Sequence, residues 1–420
     1  MTRFLILFFL IPLTLIGQDK ETKEFTKTLC SAKLHGRGYV NNGDGVAADY
    51  IAKTFEKVGL LKTNNTYFQP FVFPVNSFPG TLSLKINGTE LNEGVDYLVS
   101  PESIGGEFTY KPIYLKGEDL FDIKKIQSLI NDNLAVLNER ILLIRNVGYS
   151  KDSTIKIKQL IKRLNELVAV GEITDEKLIW SVSQKTSRFP SFLIQDSILT
   201  EKINLIELII ESKFIPNHEA KNVIGYLPAK KKTDKIIVFS AHYDHLGRMG
   251  SRIYFPGAND NASGVAMLVH LAKHFKENPS KYNIYFIAFA GEEAGLIGSK
   301  FMAKHPLFDL KKISFLLNLD IMGSGEEGIT IVNGSVHKKA FKKMLRINKR
   351  INAVKNIKAR GKTSNSDHYW FSEKGVPAFF IYTRGPNKHY HDIYDTYEEL
   401  SFEAFENIAN LLMKFTKRCL

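Results

Sequence analysis

From residue 217 onward the chain repeats one pattern: an apolar run rich in β-branched and aromatic residues, then a stretch with helical spacing. The runs are IIVFSA, IYFIAFA, ISFLLNLD and AFFIYT, and helices are expected over residues 263–275 and 292–304. Strands that are apolar on both faces need cover on both faces, which a largely parallel sheet between helical layers supplies. The expected fold is α/β: a mixed, mostly parallel central sheet with helices on both faces. In such sheets functional groups gather beyond the carboxyl ends of the strands.

The rest of the chain divides by texture. Met1 is followed by one early charge, Arg3, and then FLILFFLIPLTLIG and the charged DKETKE. That order is the pattern of a secretory signal over residues 1–18, with cleavage near Gly17 or Gln18 and export to the periplasm or outside the cell. A membrane span needs about 20 apolar residues, and this run is shorter and broken by Pro12, so no stable span is expected after cleavage. Residues 19–75 are expected to join the catalytic domain, with Ala47, Tyr50, Ile51, Phe55 and Val58 on one helical face and Gly59 as a stop. Residues 76–215 alternate (TLSLKING, FTYKPIYL, ERILLIRNV, SRFPSFLI), carry no cluster of chemically capable side chains, and suggest an inserted apical α+β domain. Residues 216–420 complete the catalytic domain.

Two cysteines, Cys30 and Cys419, are too few for a thiolate metal site. The net charge of +13 is concentrated partly in residues 338–362, where Phe341 is the one aromatic among the basic residues. Nucleic-acid binding would call for interleaved aromatics. An amphipathic helix with Phe341, Leu345 and Ile347 inward and a solvated basic face fits better. The excess charge favours acidic surfaces or substrates.

Six residues stand at or just past the ends of the apolar runs: His242, Asp260, Glu292, Glu293, Asp320 and His391. Singly, most have an ordinary reading. Asp260 opens a helix and suits an N-cap, and a lone histidine such as His391 is common in loops. Glu292 and Glu293 are less ordinary, because two acids at the rim of a buried strand are costly unless paired or bound to a cation. Asp244 follows His242 by two residues and can orient an imidazole. Together, two imidazoles, three carboxylates and a spare glutamate suit two divalent ions sharing a bridging carboxylate, with the spare acid as a base. Nitrogen and oxygen donors without thiolate suit zinc.

The order His-x-Asp, Asn-Asp-Asn-Ala-Ser-Gly, Gly-Glu-Glu-x-Gly-Leu-x-Gly-Ser, Asn-Leu-Asp-x-x-Gly and Tyr-His-x-x-x-Asp-Thr resembles the secreted di-zinc aminopeptidase family. That family is related to glutamate carboxypeptidase, glutaminyl cyclases and a non-catalytic receptor. The resemblance implies one zinc on His242, Asp260 and Asp320, and a second on Asp260, Glu293 and His391. It implies Glu292 as general base, Asp244 and Asp367 as supporting residues, Tyr390 as an oxyanion donor, and a cis peptide after Asp260. Arg384, and the basic stretch ahead of Ser366, fall where such relatives shape the substrate pocket, and residues 76–215 fall where many carry a protease-associated insert. The implied activity is removal of N-terminal residues from peptides. Glutaminyl cyclisation is the alternative, with a carboxypeptidase or a receptor-like module behind it.

Overall fold

The computed structural model describes residues 13–418. The expected signal segment lies largely outside them, as does Cys419; Cys30 is buried. No described helix is long and apolar enough to cross a membrane.

Strand Ile236–His242 is the axis of the molecule, and all of its residues are buried. Alternate side chains serve two cores. Ile237, Phe239 and Ala241 face the larger core, with helices Gly43–Val58, Ser263–Glu277 and Phe405–Arg418; Ile236 and Val238 face the smaller one, with Met302 and Phe371. Period-two alternation with both faces apolar is what a doubly covered strand requires.

Strand Ile236–His242 runs parallel to Asn283–Phe289 on one side and to Ile313–Leu319 on the other, and the latter runs parallel to Ala378–Arg384. The sheet of nine strands is mixed as expected, with its parallel part centred on these four. Antiparallel strands flank them: Lys213–Leu227 beyond Asn283–Phe289, and Gly328–Val332 beyond Ala378–Arg384. The register pairs His242 with Phe289 and Ser240 with Asn318. Three strands therefore end at one edge, which brings His242, Glu292 and Asp320 to the same place.

Strands Phe68–Ser77 and Lys213–Leu227 pair antiparallel and carry the chain out of this sheet and back. The expected insert, residues 76–215, thus begins and ends inside paired strands of the main sheet. Between them lies a second sheet, of eight strands. Its strands Gly106–Lys116, Arg140–Asn146 and Val170–Thr174 run parallel, with helices Ile123–Asp132 and Lys151–Leu164 as crossovers. The other pairings of this sheet, apart from Val170–Thr174 with Ser191–Gln195, are antiparallel, so the insert combines a short wound portion with antiparallel strands.

Two further expectations shift. The helix expected from residue 292 begins at Ile297. Residues 292–296 instead form a turn in which Leu296 is left-handed (φ 59°), because Asp244 holds the backbone N–H groups of Glu292 and Glu293. In basic helix Lys338–Ile351 the inward residues are Met344 and Ile347, with Phe341 half-buried; Leu345 is exposed, since the contact face is rotated away from it.

The insert is not a separate body. Its core includes Leu246, Met249 and Phe255 from the catalytic domain, and the Trp180 ring stacks on Phe255 with centroids 4.9 Å apart. Trp180 Nε1 donates to the Val99 carbonyl at 2.8 Å. We expect Trp180→Ala to lower unfolding free energy by about 3–5 kcal/mol, read from urea midpoints. A loss below about 0.5 kcal/mol, as for an ordinary surface position, would show that the two cores are independent.

Candidate metal centre

The site is built on the loops that leave the aligned strand ends. His242 is the last residue of its strand and is held from behind, its Nδ1 lying 3.1 Å from the Asp244 carbonyl. Its Nε2 points at two carboxylates, 3.2 Å from Asp260 Oδ1 and 3.3 Å from Asp320 Oδ1. The other oxygen of Asp260, Oδ2, lies 3.2 Å from His391 Nε2, which is also 3.2 Å from Glu293 Oε2. Asp260 therefore stands between the two imidazoles and offers one oxygen to each, the arrangement a bridging carboxylate needs.

Each ligand-type side chain is aimed by a named partner. Asp320 Oδ2 accepts from Ser366 Oγ at 3.0 Å, Ser366 Oγ accepts from Asn318 Nδ2 at 2.7 Å, and Asn318 Oδ1 accepts from Ser240 Oγ at 2.8 Å. Glu293 Oε1 lies 2.8 Å from His245 Nδ1. His391, left-handed at φ 53°, has Nδ1 3.1 Å from the Trp180 carbonyl, and its carbonyl accepts from Trp180 N at 3.0 Å. A peptide of the insert thus sets the ring of a residue more than two hundred positions later.

The loop that carries Asp260 depends on two buried charges. Arg37 donates Nε to the Tyr243 carbonyl at 2.7 Å, Nη1 to Leu29 at 2.9 Å and Pro256 at 2.7 Å, and Nη2 to Gly257 at 2.7 Å. Asp395 accepts from the backbone N–H of Asn259 and of Asp260, both at 2.9 Å. The Asp260–Asn261 peptide is cis, as the resemblance implied.

The electrostatics are those of a cation site. Burial would lower the His242 pKa, but Asp320, Glu292 and Asp260 override it and raise it well above the ordinary value. His391 goes the same way, to about 11, through Glu293 and Asp260 against burial. Burial would raise Glu293, yet His391 and the contact with His245 hold it at about 2. Asp320 Oδ1 is buried without a hydrogen bond. His242, Asp260 and Asp320 present atoms within 4.8 Å of one another, as do His245, Asp260 and Glu293. Nitrogen and oxygen donors in this negative field fit zinc.

All six residues read from the sequence meet here. Tyr390 also reaches the cavity, its ring stacked on His391 with centroids 3.9 Å apart. Asp367 is fully buried and pushed up to about 7 by burial; its charge helps raise Glu292. Asp244 supports the site differently from expectation. Its carboxylate accepts from the N–H of Glu292 at 3.1 Å and of Glu293 at 3.2 Å, and lies 3.9 Å from His242 Nδ1, so it fixes the glutamate turn more than the imidazole.

Arg384 shares a strand face with Phe380 and Tyr382, which line the cavity, but sits one step further out; Arg360 is among the lining residues. Arg37, His245, Trp180 and Asp395 were not anticipated. Two of them carried a local signal: His245 is the second histidine of HYDHLG, and Asp395 is the aspartate of the Tyr-His-x-x-x-Asp-Thr motif.

Sheet, shared carboxylate and clustered imidazoles define an α/β fold with a candidate metal centre at its strand ends. Residues 222–416 match the model of Peptidase family M28. Aminopeptidase YwaD of Bacillus subtilis (strain 168) is 29% identical over 218 residues, covering 49% of this chain and 46% of that protein. A probable leucine aminopeptidase of Trichophyton verrucosum is 24% identical, covering 46% of this chain and 56% of that one. The chain therefore spans about half the length of these curated relatives. Among solved structures, BSAP, a zinc aminopeptidase from Bacillus subtilis, superposes with a TM-score of 0.68 at 20% identity, covering 95% of this chain and 94% of that one. The aminopeptidase from Aneurinibacillus sp. strain AM-1 gives 0.62 at 22%, with the same coverage of each. The shared fold thus includes the insert.

His368, beside Asp367, gives a stability prediction. Burial lowers its pKa from 6.5 to about 4. The unfolded chain then takes up a proton first, so stability contributed by the neutral ring is complete above pH 6.5 and is lost as pH falls toward 4. His368→Leu should flatten that acid limb, whose slope from this residue is up to about 1.4 kcal/mol per pH unit. Urea midpoints between pH 7 and 4.5 check it, and parallel profiles for parent and variant would contradict it.

Proposed function

We propose that this protein is an exported, zinc-dependent aminopeptidase that removes N-terminal residues from peptides. His242, Asp260 and Asp320 would hold one ion, and Asp260, Glu293 and His391 a second. The chemistry supplied by bound zinc is polarisation of the scissile carbonyl and acidification of water. The observation that carries the reading is the division of labour between two adjacent glutamates. Glu293 is engaged by both His391 and His245. The Glu292 carboxylate lines the cavity and makes no hydrogen bond or ion pair with any described residue.

A group that shuttles a proton must reach the cavity without being tied up as a ligand. Burial, with Glu293, Asp367 and Asp320, raises the Glu292 pKa above the carboxylate range against the pull of His242. Glu292 would take a proton from the attacking water and return it to the leaving amine. The Tyr390 phenol lines the same cavity and would donate to the developing oxyanion. Export rests on the pattern of residues 1–18. A receptor-like module would have no need of ligand-type residues this closely converged.

Zinc content and release of free amino acids from N-terminally diverse peptides test this together. The parent should carry about two zinc ions per chain and release N-terminal residues. Glu292→Gln should keep its zinc and lose about 10²–10⁴-fold in kcat. Undiminished release by the variant would overturn the scheme, and ammonia loss from N-terminal glutamine without peptide cleavage would replace it with cyclisation.

A further inference from the structure

The cavity in front of the cluster has lining residues that the proposed reaction does not use. Its volume is about 210 Å³, below the roughly 300–1,000 Å³ of pockets for drug-sized ligands, so it suits about one residue of a peptide. The acids lining it, Asp260, Glu292 and Asp320, all belong to the cluster. Beyond the cluster come Arg360, Asn365, Phe380 and Tyr382, and Arg360 is the one permanent cation.

An exposed arginine at a rim is usually just solvated, but this one is placed. Its backbone N–H donates to the Ile331 carbonyl at 2.9 Å, and its carbonyl accepts from Ser335 N at 3.2 Å, which ties it to strand Gly328–Val332 and the turn that follows. Its Nη1 donates to Tyr382 Oη at 3.1 Å. It forms no ion pair with any described residue, so most of its five N–H donors are free. Tyr382 spends an oxygen lone pair on that contact and keeps its O–H to donate. The Asn365 side-chain oxygen is engaged by Thr363 Oγ1, leaving its amide N–H groups for the cavity. A guanidinium, a phenol and an amide with no acid among them suit a planar acceptor with negative charge.

We propose that Arg360, with Tyr382 and Asn365, is a carboxylate receptor that makes the protein favour substrates bearing a carboxylate next to the scissile bond. The carboxylate is either the side chain of an acidic N-terminal residue or the terminal carboxylate of a very short peptide. The inference rests on the aminopeptidase reading above. The net charge of +13 adds a field that draws anionic peptides toward the protein.

The test uses the full zinc-loaded protein and two substrate pairs. Glutamyl and glutaminyl p-nitroanilides differ in the side-chain carboxylate and have no terminal one. Alanyl-alanine and its amide differ only at the terminus. The parent should favour the charged member of one pair, which identifies the source. Arg360→Ala should lower that preference, as a ratio of kcat/KM values, by about 10–100-fold. Arg360→Glu should invert it, with lysyl p-nitroanilide gaining over glutamyl if the side chain is the source. General damage to the fold would lower both members of a pair and leave the ratio intact. Release without preference in either pair, or ratios unmoved in Arg360→Ala, would overturn the receptor alone. No release from any substrate by zinc-loaded parent would overturn the aminopeptidase reading and the receptor with it.

Discussion

Everything at the site follows from the cost of placing acids at the buried ends of strands. Asp244, Asp260, Asp320, Asp367 and Asp395 are all buried, and Glu292 and Glu293 stand at the same rim. An unpaired carboxylate in such surroundings costs several kcal/mol. Burial leaves its mark by pushing Asp244, Asp367 and Asp395 up to about 7. The field that results lifts both site imidazoles and is what a divalent cation would neutralise. Stability and the candidate site therefore draw on one arrangement: Asp260, Asp320 and Glu293 face the imidazoles and would bind metal, while Asp244, Asp367 and Asp395 are buried around them.

The fold meets this cost with parts from distant regions. Register within the parallel strands brings the carboxyl ends together. Fully buried Arg37, contributed by the N-terminal segment, gathers the carbonyls of the loop that carries Asp260, and Asp395 anchors its N–H groups from the other end of the chain. The insert supplies the peptide of Trp180 that orients His391. The nine-stranded sheet and the insert share a core as well as a site, in keeping with solved structures of the same fold that align over nearly the whole chain.

Much of this was legible in the sequence, for physical reasons. Strand ends are readable because apolar runs stop there, so His242, Asp320 and the two glutamates announced themselves by interrupting those runs. Residues that act across the fold gave no such signal. Arg37 lies 206 positions from Tyr243, and His391 lies 211 from Trp180; no local pattern reports contacts of that span. For Arg384, strand alternation sets the face it shares with Phe380 and Tyr382 but not how far along that face the cavity reaches. The helix expected from residue 292 started late because a tertiary contact, Asp244 to two backbone N–H groups, outweighed local helical spacing. His245 was in view beside Asp244, but a histidine buried against a glutamate is recognised only once both are placed.

The most direct test of the claim that these buried acids exist to hold cations is anomalous diffraction at the zinc edge, from crystals grown with zinc. The account predicts two peaks sharing Asp260, one enclosed by His242 and Asp320 and the other by Glu293 and His391, about 3.5–4 Å apart. Zinc density confined to surface histidines, with none among these five residues, would contradict it.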